Sequence, residues 1–374
     1  MIAERLHSVV SVLLQEYKVL DLAKRFAALQ ARLNASVASP TPENAEIYKT
    51  ALDEFESGLL TSATINFVPS QQRILSAIGG TDKVGTGLFH RIDALLNENQ
   101  ITPAHALAKM QGVYEEFVQF QATLERLSRS LVDLHVGTED PSGETYELGI
   151  LIPKELVEND LDGLNKELKR LDQHLRTFAE IVHADPKSLT IRSLGTGSLE
   201  FFLDSPAEVA AAVMIAVERL VALYKQILEI RTIRKGLEDK KFPPGTVKLV
   251  KDHEAQLITD ELDTIRDEII TENYKSSDLA RKNELKNALT SALKYIADRI
   301  DRGVDFEARP PAPPTVPQTS EEEGAERKPS EGPQQHAAIV SKSGSVMLGL
   351  QRSTTPVLQL LDQTTNDSTE PKKE

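Results

Sequence analysis

Cysteine is absent from all 374 residues, which removes disulfides, thiolate nucleophiles and cysteine-ligated zinc from consideration. The absence suits either redox state and leaves the compartment to other signals. A chain of this length needs no covalent staple, since it can bury two or three cores of its own. Long apolar runs are missing too. The most apolar one, Val209 to Val217, goes nine residues without a charge, against the roughly 20 that a spanning helix requires. The N-terminal MIAERLHSVV carries Glu4 and spaces its apolar residues helically, unlike a secretory leader. A cytoplasmic protein is expected.

Chemical motifs are equally scarce. GGTDKVGTG, from Gly79 to Gly87, approaches the phosphate-binding pattern, but Thr86 stands where that pattern needs lysine and the preceding residues read as helix. HEAQL at His253 begins like a zinc helix, yet Leu257 occupies the place of the second imidazole. The remaining histidines occur singly, and carboxylate pairs such as Asp267 with Glu268 fall on solvent faces. The expectation is a protein without catalytic, metal-binding or cofactor-binding residues.

What the sequence does contain is helical periodicity. Met110, Val113, Phe117, Phe120, Leu124, Leu127, Leu131 and Leu134 alternate steps of three and four, the spacing of a heptad seam. Similar stripes run through Leu161 to Val182, Ala210 to Ile227, Ile258 to Ile269 and Leu285 to Ile300. Near the N-terminus one stripe, Leu6 to Leu20, gives way to another, Leu22 to Leu33, in a shifted register. The fold class expected is mainly α, with long antiparallel helices and a small α+β domain.

Punctuation sets the expected domains: a helical bundle over 1–136, a small α+β domain over 144–240, a helical hairpin over 246–302 and a disordered proline-rich, charged tail over 303–374. VGTEDPSGET, Val136 to Thr145, marks the first boundary and KKFPPGTV, Lys240 to Val247, the second. Strand signals appear only in the middle segment, which reads as strand, helix, β-hairpin, helix.

Within that segment, SLGTGSLEFFLDSPAEV carries two detailed expectations. A three-residue turn at Gly195 to Gly197 would pair Arg192 with Glu200, Ile191 with Phe201 and Leu189 with Leu203. Ser205 and Glu208, around Pro206, match a capping box that would start a buried helix.

Charge supplies the remaining functional signal. The formal charge of -14 disfavours non-specific nucleic-acid binding. One stretch runs against it, with Lys225, Arg231, Arg234, Lys235, Lys240, Lys241, Lys248 and Lys251 set against three acids. Taken with the helical seams, this predicts a non-catalytic interaction or assembly protein that binds a protein partner or a second copy. The basic patch admits two other readings: a membrane-docking protein using residues 207–230 and the basic residues beyond, or a sensor of nucleotide or nucleic acid.

Overall fold

A short polar side chain tolerates left-handed backbone better than most, and Asp21 adopts it, with φ 48°. Helix α1 (Ala3–Val19) ends just before Asp21 and α2 (Leu22–Ala38) begins just after. The register change after Leu20 is therefore a break between two helices. The computed structural model that places them describes residues 2–99, 102–139, 145–195, 199–311 and 331–358. The protein is mostly helical, with one small antiparallel sheet, and divides into two units, Met1–Asp140 and Pro141–Glu374.

In the first unit α3 (Pro42–Leu60) starts at Thr41, whose hydroxyl accepts the Asn44 amide at 3.2 Å. It is followed by α4 (Pro69–Ala77), α5 (Gly85–Glu98) and α6 (Pro103–Asp133). Helix α6 packs along α1 and α2. There Phe117 meets Tyr17 and Phe26 with ring centroids 5.0 and 5.5 Å away. Along α6, Met110, Val113, Phe117, Phe120, Leu124 and Leu131 are buried and Leu127 is half-buried. Leu134, just past the helix end, is exposed.

The glycines between α4 and α5 serve close packing. Gly85 has φ +50°, and a Cβ there would lie 2.1 Å from Thr64 Oγ1. A Cβ on Gly87 would lie 1.7 Å from the Thr81 carbonyl oxygen.

In the second unit four strands form an antiparallel sheet in the order β2-β3-β1-β4: β1 (Tyr146–Ile152), β2 (Thr190–Gly195), β3 (Leu199–Ser205) and β4 (Asp305–Arg309). Strand β1 is buried along its whole length. Leu148 faces Leu203 and Ala308 on its two neighbours, and Ile150 faces Phe201 and Phe306. Among the described residues the unit also has five α-helices: α7 (Leu161–Ile181), α8 (Ala207–Asp239), α9 (Pro244–Asn273), α10 (Leu279–Asp301) and α11 (Glu331–Ser343). The start of α8 is apolar almost all round and buried from Val209 to Met214, as such a helix must be in water. Among the described residues no helix is long and apolar enough to cross a membrane.

Four expectations need correction. The hairpin forms, but its register pairs Gly195 with Glu200 and Leu194 with Phe201, then shifts through an irregularity between Ile191 and Ser193. Arg192 consequently bonds Asp204, Nε to Oδ1 at 2.8 Å. Ile191 and Leu194 are left more than half exposed on the edge strand. A bulge changes pairing without changing composition, so alternation alone could not locate it. Of the expected turn, Thr196 and Gly197 lie outside the described residues.

The capping box does not form either. Ser205 ends β3, is fully buried and donates to the Pro206 carbonyl, and α8 begins after Pro206 without a side-chain cap. Pairing of Ser205 with Tyr146 in the sheet holds it in the strand.

The paired prolines of Lys240 to Val247 stop α8, but they mark a turn rather than a domain boundary. Helices α8, α9 and α10 contribute to one hydrophobic core together with the sheet. Residues 246–302 are thus part of the second unit.

Finally, residues 303–374 are not all tail. Asp305–Arg309 is an edge strand paired to β1, α11 packs on α8 and β4, and Val340, Met347, Val357 and Leu358 are buried. Proline and charge dominate the composition of this region. The short apolar patches around Ile339 and Leu358, too short to form a domain, gain burial because a sheet and a long helix already offer it. Residues 312–330 and 359–374 of the expected tail lie outside the described residues.

Candidate docking site

Helices α8 and α9 run antiparallel, tied by Arg219 to Glu268 at 2.6 Å and, farther out, by Arg231 and Arg234 to Glu254. The last fully buried residue of α8 is Ile227, and the first of α9 is Glu254. Between them, residues 228–253 contain no fully buried side chain. Leu228 and Ile230 still pack against the core, whereas no side chain of the outer hairpin, from Arg231 to His253, belongs to it.

The eight predicted basic residues, seven of them on this outer part and Lys225 just inside it, fall into two groups. Arg231 and Arg234 turn inward onto one carboxylate: Arg231 Nε donates to Glu254 Oε1 at 2.7 Å and Arg234 Nη1 to Oε2 at 2.6 Å. Arg231 also donates to the carbonyls of Pro356 and Val357 at 2.7 and 2.6 Å. These two guanidiniums are occupied by the fold. By contrast Lys225, Lys235, Lys240, Lys241, Lys248 and Lys251 are exposed, and none makes an ion pair among the described residues.

Beside the Glu254 pairings lies a cleft of about 680 Å³, bordered by Arg231, Arg234, Lys248 and Lys251, with Val247, Ile258 and Leu358 supplying apolar walls. The outer hairpin also exposes three large apolar side chains, Ile233 at 61%, Phe242 at 47% and Leu249 at 70%. Chemically, this assembly offers unpaired ammonium groups and apolar surface side by side.

Sequence reading found the patch but missed its organiser. Glu254 lies just beyond the basic stretch, on the same stripe as Ile258, Leu262, Ile265 and Ile269. A carboxylate on a buried stripe must be paired, and that was the available signal. The α6 seam is not part of this site: Met110, Val113, Phe117, Phe120 and Leu124 lie in the core of the first unit and Leu127 packs against it, while Leu134 is exposed.

Comparison with protein-family models, curated proteins and solved structures finds no match to this chain.

Proposed function

We propose that this chain is a non-catalytic docking and assembly protein of the cytoplasm, which engages an anionic partner through the outer α8–α9 hairpin. In this reading the heptad-spaced stripes build a scaffold of helices lying side by side, and the hairpin is what that scaffold presents. The supporting observation is that five exposed lysines, from Lys235 to Lys251, remain without carboxylate partners among the described residues, in a chain whose formal charge is -14. With acid in such excess, leaving these ammonium groups unpaired favours an external anion.

Retention on a polyanionic column tests this directly. The full-length protein should be held at about 0.1 M salt despite its negative charge, because an exposed cluster acts locally within a Debye length of about 10 Å. A variant with Lys235, Lys240, Lys241, Lys248 and Lys251 changed to glutamine should flow through. Wild-type protein that is not retained would remove the docking reading.

A further inference from the structure

We propose that the partner of the outer hairpin is an anionic lipid surface, into whose interface the turn between α8 and α9 inserts. This inference rests on the docking reading and adds three observations to it.

The first is how the apolar side chains are distributed. Leu249 is five residues from Glu254, which faces α8, and so lies about 140° round its helix; Ile233 is two residues from Arg231, about 160° round its own. Both therefore point away from the partner helix, on the outer surfaces of the hairpin, with Phe242 at the turn. A folded protein partner would contact one face of such an element. A fluid interface meets every side of it.

The second is depth. Leu249 stands five residues into α9 and Ile233 six residues before the end of α8, or about 7.5 and 9 Å along their helices. Interfacial elements bury their apolar surface to roughly 5–10 Å. Over Ile233 to Lys251 there are six bases against Glu238 and Asp239. Arg234 approaches Glu238 at 3.9 Å, and the long lysine stems can keep their ammonium groups at the level of the headgroups.

The third is the backbone of the turn. Exposed N–H groups oppose entry into a medium of low polarity. Here the amides of Lys240, Lys241 and Phe242 donate to Gly236, Glu238 and Leu237, and Thr246 and Val247 donate to Pro243. Pro243 and Pro244 have no N–H to satisfy. The paired prolines, which look like a mere helix stop, also remove two donors from the leading edge.

The sequence has no tryptophan, so Phe242→Trp places a single tryptophan, excited selectively over the tyrosines at about 295 nm or longer wavelengths, at the turn of the full-length protein. Flotation with phosphatidylcholine vesicles, with and without phosphatidylserine, is the experiment. The protein should float only with the anionic vesicles, and emission of the F242W variant should shift to the blue on binding. Changing Lys240 and Lys241 to glutamine should weaken association roughly fivefold per lysine, and Leu249→Ser should weaken it while leaving circular dichroism unchanged. No flotation at low salt, or flotation without an emission shift, would overturn the inference. So would binding of soluble polyglutamate or RNA by a protein that ignores the vesicles. In that last case polyanion retention would persist and the docking reading would survive its lipid version.

Discussion

Arg299 of α10 and Glu167 of α7 form a forked ion pair, Nη2 to Oε2 at 2.6 Å, in which both side chains are almost wholly buried. Tyr295 donates to the same carboxylate at 2.7 Å. Burial alone would raise the Glu167 carboxyl, but the hydrogen bonds from Arg299 and Tyr295 and the charges of Arg299 and Arg170 outweigh it and hold it below its usual value. Removing one partner strands the other, so Arg299→Met should destabilise the second unit by about 3–5 kcal/mol. Replacing Glu167 as well should recover much of that loss. The contribution is fully present above the ordinary glutamate value of 4.5 and is lost as pH falls through the depressed one. Denaturant midpoints for the single and double variants decide it. A single variant as stable as wild type would refute the pairing.

His174 lies against the Tyr295 ring, with centroids 4.5 Å apart. Burial, then the charges of Arg299 and Arg170, push its pKa below 6.5, with Glu167 opposing. The folded imidazole thus binds protons less readily than the unfolded one. Stability should fall as pH drops below 6.5 toward the lowered value, and then level off for this group. His174→Gln should flatten that part of the profile, as read by melting temperature across mildly acidic buffers. An unchanged slope would mean that this histidine does not carry the dependence.

Arg192 and Asp204 provide a test of the hairpin register. If Arg192 bonds Asp204 across the bulge, Asp204→Asn should cost about 1–2 kcal/mol, whereas Glu200→Gln should stay within about 0.5 kcal/mol. Urea unfolding of the two variants ranks them. The reverse order would favour the pairing with Glu200.

The elements that were legible in the sequence are those whose signal is local. The α6 stripe, the Thr41 start of α3, the buried beginning of α8 and the existence of the β2–β3 hairpin each follow from spacing over a few turns or a tight turn. What was not legible depends on partners far along the chain. The strand Asp305–Arg309 exists because β1 offers it an edge more than 150 residues earlier in the sequence, and Ser205 leaves its capping role because Tyr146 pairs with it. The docking site divides the same way: its lysines were visible as composition, whereas the withdrawal of Arg231 and Arg234 into the fold required Glu254 and the distant Val357 carbonyl.

That distant contact makes the final prediction. Arg231 serves three partners at once, the Glu254 carboxylate and the carbonyls of Pro356 and Val357, while Asp301 accepts the amides of Val357 and Leu358 at 2.8 and 3.0 Å. The segment is thus held by side chains through both its carbonyls and its amides, as a neighbouring strand would hold it. Hydrogen bonds to charged groups are worth about 1.5–3 kcal/mol each, so Arg231→Ala should release residues 356–358 locally without unfolding the core. Arg231→Lys should be nearly as damaging, since a single ammonium cannot reproduce the planar fork that spans three acceptors. Hydrogen exchange of the Val357 and Leu358 amides should accelerate in both variants, while amides of β1, buried at the centre of the sheet, stay protected. Unchanged exchange at Val357 in Arg231→Ala would show that Asp301 and the apolar contacts of Val357 and Leu358 suffice, and that Arg231 belongs to the hairpin alone.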